Sequence, residues 1–145
     1  MKPALDVVSG LSVKDVVSGF SRTVTSGSKA AILAYHRIAT LAPDCHALCT
    51  PPDEFRDHME YIRRECTPIA LDDLVRAAAS GRIPERAVAV TLDDGYLDAL
   101  TTASPILSDL GVPATFFVNT DRLDEEHERW WDILERIFLC ETVPP

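Results

Sequence analysis

The 145-residue sequence predicts an α/β protein built on a parallel sheet, in the form of an incomplete (β/α) barrel. Two continuous apolar runs, at 30–35 and 87–92, are typical of strands buried on both faces. Segments with helical spacing separate the strands, and strands that alternate with helices form parallel sheets through right-handed crossovers. A closed barrel takes about eight strands. We therefore expect the first three to four strands of a larger fold.

The first 29 residues differ in composition from the rest. They are rich in Ser, Val and Gly, and segment 6–12 recurs nearly intact at 15–21. Two copies are too few for a solenoid, which needs at least about 3 stacked units. We expect residues 1–29 to form a leader of one or two short helices and residues 30–145 to hold the domain.

Helical spacing of apolar residues predicts two helices between the first two long strands, at 52–65 and from about 72 to 80. The side chains expected to face inward are Phe55, Met59 and Ile62 in the first helix and Leu74, Val75 and Ala78 in the second. A helix at 105–110 has proline near its start and Gly111 past its end. A third strand is expected at 112–118.

A last amphipathic helix is predicted near the end of the chain. Its apolar side chains are Trp130, Leu134, Ile137 and Phe138. Their spacing favours packing into the core. The acidic segment 121–128 is expected to be a solvated loop.

Charge and composition exclude several classes of function. The net charge of −9 argues against a nucleic-acid partner held through phosphates. No apolar run approaches the roughly 20 residues of a membrane span. The N-terminus lacks the apolar core of a signal peptide, so the expected location is the cytoplasm.

The cysteines and most histidines carry little functional signal. Cys45, His46 and Cys49 lie close enough for a soft-metal cluster, but the second ligand pair of structural zinc sites is missing. Free thiols are favoured for all four cysteines. Solvated positions are expected for His46, His58 and His127.

Asp93 and Asp94 are the most informative residues, because they follow a buried strand at the end where α/β folds place catalytic groups. One carboxylate can bind a divalent metal while its neighbour accepts a proton from water. Gly95 allows the sharp exit from the strand. Taken alone, the Asp-Asp-Gly sequence would favour a helix cap.

The surrounding residues resemble the polysaccharide deacetylase family, which includes chitooligosaccharide, chitin and peptidoglycan deacetylases and the nodulation-type homology domain. Segment 91–95, Thr-Leu-Asp-Asp-Gly, is similar to the family's first motif, although Leu92 stands where Phe is common. Segment 32–38 resembles the opening strand of many bacterial members. The downstream segments that match in order are 103–107, 110–113 and 114–118, and segment 130–135 resembles an insertion of some members. The resemblance covers about residues 30–140 and identifies the N-terminal part of a distorted deacetylase barrel.

The resemblance implies a hydrolase that removes acetyl groups from amino-sugar polymers with a divalent metal, often zinc. It implies Asp93 as the general base and Asp94 as a metal ligand. The family's remaining ligands are two histidines at His-x-x-x-His spacing, and no two of the four histidines here are four residues apart. The family's later arginine and its final acid histidine are also missing. We expect this chain to be inactive alone, with a non-catalytic half-barrel that recruits a partner as the alternative.

Three further hypotheses concern a histidine, the two tryptophans and the edge of the sheet. His36 follows the first strand and either donates a hydrogen bond to an active-site carboxylate or is a satisfied core histidine. Trp130 and Trp131 could stack on sugars, although their spacing favours a core role. An incomplete sheet leaves an open edge, so we expect self-association through the strand at 113–118.

Overall fold

The computed structural model describes residues 7–8, 29–42, 44, 46–120 and 129–139. The strands are β1 (Val7–Val8), β2 (Ala30–Tyr35), β3 (Thr67–Pro68), β4 (Ala87–Leu92) and β5 (Ala114–Phe116). The helices are α1 (Pro52–Glu65), α2 (Leu71–Ala79), α3 (Ser104–Leu110) and α4 (Trp130–Phe138), and a π-helical segment (Ala99–Ala103) precedes α3. None of these helices has the length and apolar character needed to cross a bilayer.

Strand β4 lies at the centre of a five-stranded sheet in which every pair is parallel. Strand β2 pairs with β4 from Ala30 opposite Ala87 to Tyr35 opposite Leu92. Strands β3 and β5 share the other edge, β3 beside the first residues of β4 and β5 beside its last three. All six residues of β4 are buried, as expected for a strand covered on both faces.

The two faces of the sheet carry separate apolar clusters because strand side chains alternate in direction. Leu33 and Val90 belong to the larger cluster, with Phe55 and Met59 of α1 and residues of α3. Ala87 and Ala89 belong to the smaller cluster, with Leu74 of α2. The sheet is therefore one layer between helices, the arrangement expected of an α/β protein.

Several predicted elements differ from the observed ones. Val7 and Val8 form a strand beside β2, within the segment predicted as a leader of short helices. The rest of 1–28 lies outside the described residues, so the leader stays a prediction. Strand β5 is shorter than 112–118 because the Val112 amide still bonds to the Leu107 carbonyl at the end of α3. Val75 is 59% exposed and Ala78 is exposed too, so the predicted inward orientation of these two side chains is wrong.

Helix α4 spans the four apolar residues that predicted it, but the expected core role of these side chains is wrong. None of its residues is buried within the described structure, and Trp130 is 66% and Phe138 74% exposed. The helix packs against the turn after β4 mainly through Trp131 and Asp132. Its apolar stripe is thus not covered by any described element.

The histidine predictions had mixed outcomes. His58 is only 6% exposed, so the prediction of a solvated position is wrong. It lies on the buried face of α1 with Phe55, Met59 and Ile62, three and four residues apart. His46 is exposed, and His127 and segment 121–128 lie outside the described residues.

Candidate functional site

The ends of β2 and β4 meet at one edge of the sheet and bring His36 and Asp93 together. His36 follows β2 and Asp93 follows β4, and the two strands run parallel in matched register. The Asp93 amide donates a hydrogen bond to the Tyr35 carbonyl at 2.8 Å. The loops that leave parallel strands at this edge are where α/β folds place their functional groups.

Asp94 occupies a sharp left-handed turn. Its φ is 67°, and Gly95 has the same value. Asp tolerates this region better than most residues, but the conformation still stores strain, which proteins keep mainly at functional sites. The side-chain amide of Asn119 lies 3.5 Å from the Asp94 carbonyl and supports the turn from the segment after β5.

Gly95 suits this turn for two reasons, its positive φ and the little space left for a Cβ beside Val118. A Cβ at this position would lie 3.2 Å from Cγ1 of Val118 and 3.3 Å from its Cα. The carboxylate turn is therefore packed tightly against the chain that leaves β5. This contact limits how far Asp93 and Asp94 can move relative to the sheet.

Two buried polar atoms at this edge have no hydrogen-bond partner among the described residues. They are Oδ1 of Asp93 and Nδ1 of His36. Buried polar atoms in folded proteins are nearly always paired, because an unpaired one costs about 1–3 kcal/mol. An unpaired carboxylate oxygen beside a strained turn is the kind of acceptor that a bound water or ligand would satisfy.

His36 and Asp94 lie within the range of an ion pair. Nε2 of His36 is 3.9 Å from Oδ2 of Asp94, and the two side chains are 25% and 32% exposed. This separation is longer than a direct hydrogen bond. The two groups nevertheless face the same space at this edge of the sheet.

The described residues do not by themselves form a metal site. No group of three or more His, Cys, Asp or Glu side chains able to hold a metal occurs in the described part of the chain. A catalytic zinc has three protein ligands as a rule. Asp94 and His36 supply at most two donors, so the residues present do not fit a complete catalytic metal centre.

The segment with Cys45, His46 and Cys49 gives no support to a soft-metal cluster. Cys45 is outside the described residues, and Cys49 is a free, partly buried thiol. Burial and then the nearby Asp44 raise the pKa of the Cys49 thiol. Because the thiolate is the form that binds metals, a raised pKa makes Cys49 a poor ligand.

Asp98 is a residue of the rim that the sequence did not reveal. Its Oδ1 accepts a hydrogen bond from the Ile38 amide at 2.8 Å, and its Oδ2 accepts one from Nε of Arg37 at 3.2 Å. These bonds fix the chain that leaves β2 to the chain that leaves β4. The partners are about 60 residues apart in sequence, so no local pattern signals the contact.

Tyr96 connects the carboxylate turn to α4. Its hydroxyl donates to Oδ1 of Asp132 at 2.9 Å and accepts a hydrogen bond from Nε1 of Trp131 at 2.8 Å. The guanidinium of Arg37 lies over its ring, 4.4 Å from the ring centre. Burial raises the pKa of Tyr96 to about 12, so the hydroxyl stays protonated and donates near neutral pH.

Comparison with known proteins gives consistent matches. Residues 80–139 match the family model for polysaccharide deacetylase. The chain is 28% identical over 130 residues to a Bacillus subtilis (strain 168) protein named "Putative polysaccharide deacetylase YxkH". The alignment covers 87% of this chain and 44% of that protein.

Two solved structures have a similar fold. IcaB from Ammonifex degensii has a TM-score of 0.62 and 25% identity, covering 70% of this chain and 43% of IcaB. The Streptococcus pyogenes deacetylase PplD has a TM-score of 0.62 and 24% identity, covering 76% of this chain and 52% of PplD. The chain thus spans about half the length of the relatives it matches, as expected for the first part of a larger barrel.

Proposed function

Because this chain carries part of a polysaccharide deacetylase domain, we propose that the complete domain hydrolyses N-acetyl groups on amino-sugar polymers such as chitooligosaccharides. In this proposal Asp93 is the general base and Asp94 a metal ligand. The observation that carries it is the buried, unpaired Oδ1 of Asp93 beside the strained Asp94 turn. Both lie at the edge of the sheet where catalytic groups are expected.

The chemistry assigned to Asp93 is proton transfer. Its carboxylate would accept a proton as a water molecule attacks the acetamide carbonyl, and the C–N bond would then break to release acetate and a sugar amine. The amine must receive a proton as it leaves. We expect the acid that supplies this proton to come from the rest of the domain.

Asp94 is assigned to the metal because segment 91–95 resembles the family's first motif. Its Oδ2 lies 3.9 Å from Nε2 of His36. In this proposal His36 acts through Asp94 as a positioning residue beside its carboxylate. A divalent metal, with zinc as the first candidate, would need further ligands from outside the described residues. We therefore expect the 145-residue chain to bind zinc weakly and to be inactive alone.

A half-barrel that recruits a partner without catalysis is the second candidate. It is favoured by the apolar chain at the end of β5, where Phe116, Phe117 and Val118 are 40%, 49% and 51% exposed. Exposed apolar surface of this kind often marks an interface.

The cytoplasmic location expected from the sequence stays a prediction, to be tested by cell fractionation.

The two candidates differ in what they predict for a complemented chain. Zinc affinity and acetate release from a chitooligosaccharide are measured for the chain alone and after joining a downstream segment with the family's His-x-x-x-His motif. The deacetylase proposal expects both to appear only in the joined protein, and Asp93→Asn to abolish acetate release while zinc stays bound. The matched control is Asp109→Asn, since Asp109 is an exposed carboxylate on the surface of α3. Acetate release that survives Asp93→Asn would refute the assigned role.

A further inference from the structure

The indole of Trp130 is exposed where a tryptophan side chain is usually hidden. It is 66% exposed at the start of α4, and no residue of this helix is buried within the described structure. Large aromatic side chains are highly buried on average in folded proteins. Trp130 therefore contributes little to the described core, and its face is open to a ligand or to another part of the domain.

The exposed ring is nevertheless held in place. Trp130 packs edge to face against Trp131, with ring centres 5.3 Å apart and planes at 80°. This is a favoured geometry for aromatic pairs. Trp131 is in turn fixed by the 2.8 Å hydrogen bond from its Nε1 to the Tyr96 hydroxyl. The structure thus presents Trp130 in a fixed orientation.

This aromatic pair is tied to the carboxylate turn. Tyr96 directly follows Gly95, and its Cα lies at most about 7.6 Å from that of Asp94, because consecutive Cα atoms are 3.8 Å apart. Arg37 covers the Tyr96 ring and is itself bonded to Asp98. The first turn of α4 is therefore attached to the same rim as Asp93 and Asp94.

We propose that Trp130 is a stacking surface for a pyranose ring of the sugar polymer, beside the unit whose acetamide meets Asp93. The inference rests on the proposed function, which supplies the class of ligand. One face of a pyranose carries C–H groups with weak positive character, and the face of an indole is electron-rich. Stacking removes both surfaces from water. An N-acetylated sugar is uncharged, so the acidic character of the chain does not oppose its binding.

The chain is well suited to a direct test, because its two tryptophans are these two adjacent residues. Tryptophan emission is followed while the 145-residue chain is titrated with tetra-N-acetylchitotetraose. We expect a saturable change in emission. Trp130→Ala should weaken binding about tenfold through the lost apolar contact, whereas Trp130→Phe should retain most of the affinity because a ring remains.

Phe138→Ala is the matched control. Phe138 is 74% exposed on the same helix but has no aromatic anchor among the described contacts, so its removal should leave the affinity unchanged. Circular dichroism of each variant shows that the fold is retained. Equal affinity of the parent and Trp130→Ala, or no saturable binding by the parent, would overturn the proposal. The second result would mean that another part of the domain covers the ring.

A parallel measurement in the joined protein separates this inference from the function on which it rests. There, Trp130→Ala should raise KM for the tetramer more than it lowers kcat. A joined protein that is inactive but binds the tetramer through Trp130 would reject the deacetylase and retain the stacking surface. An active protein whose KM is unchanged by Trp130→Ala would reject only the stacking surface.

Discussion

The hydroxyl of Tyr35 lies 3.1 Å from Nδ1 of His58, and both side chains are buried between β2 and α1. The Tyr35 ring also packs edge to face against Phe55, with ring centres 4.9 Å apart. Because burial raises the pKa of Tyr35, its hydroxyl stays protonated in this hydrogen bond. Tyr35 is also the residue whose carbonyl accepts the Asp93 amide. The backbone of Tyr35 therefore connects this buried pair to the candidate site.

Stability should depend on pH through His58. Burial lowers the pKa of His58, with Glu54 and Asp57 opposing the shift. The unfolded chain, with a histidine pKa of about 6.5, then binds more protons than the folded chain, so acid favours unfolding. The contribution of His58 to the free energy of unfolding should be constant above a pH of about 6.5 and should fall as the pH drops below it. Urea titrations at several pH values measure this.

The variant His58→Gln isolates the contribution of this histidine. It removes the titrating group and should flatten the acid limb of the stability profile. His46→Gln is the control, because His46 is exposed and its removal should leave the profile unchanged. An unaltered acid limb in His58→Gln would show that another group is responsible.

Gly95→Ala should destabilise the carboxylate turn through two effects. The left-handed conformation costs an alanine about 1–2 kcal/mol, and the new Cβ would press on Val118 at 3.2 Å. Gly81→Ala is the matched control, since Gly81 has a φ of 68° but no described atom within 4 Å of its Cβ position. We expect Gly95→Ala to lower the free energy of unfolding by about 1 kcal/mol more than Gly81→Ala. Equal losses would exclude the Val118 contact as a cause.

Asp98→Ala should cost far more stability than the loss of a surface ion pair. Asp98 is 14% exposed in its side chain and accepts bonds from Ile38 and Arg37. Hydrogen bonds to a charged group contribute about 1.5–3 kcal/mol each, so a loss of at least about 2 kcal/mol is expected in chemical denaturation. The control Asp73→Ala breaks the exposed pair with Arg76 and should cost much less stability, since solvent screens such pairs. Similar losses in the two variants would contradict a special role for Asp98.

The open edge at β5 should make the chain self-associate. Phe117 is 49% exposed beside the edge, and a charge there should oppose pairing with another strand. Size-exclusion chromatography should show oligomers for the parent chain and a shift toward monomer for Phe117→Lys. Val75→Lys is the control, because Val75 is 59% exposed on α2, away from that edge. A single monomer peak for the parent chain would contradict this expectation.

The fold was predictable where one pattern dominates a segment. The buried runs at 30–35 and 87–92 consist almost entirely of apolar residues, and both are strands with these bounds. Strand β3 has only two residues, one of them proline, and carries no such pattern. His58 could have been found, since it extends the apolar stripe of α1 three residues after Phe55. Because histidine is polar, its burial was not expected. The hydrogen bond with the Tyr35 hydroxyl makes this burial acceptable.

The site was predictable only in part. Asp93 and Asp94 stand out because they end a strand, and the chain places His36 beside Asp94. The contacts of Asp98 and Tyr96 join residues that are 35 or more apart in sequence, and such pairs leave no local signal. The exposure of Trp130 was missed for a related reason. Helical spacing shows which face of a helix is apolar but not whether another element covers it.

The position of β4 in the sheet has a consequence for synthesis of the chain. Strand β2 pairs with β4 along its full length, and the paired residues are 57 positions apart in sequence. At translation rates of about 5–20 residues per second, β2 leaves the ribosome roughly 3–11 s before its partner. During that interval its apolar run has no partner strand on that side, so chaperone capture and the choice of synonymous codons between 36 and 86 bear directly on the yield of folded protein.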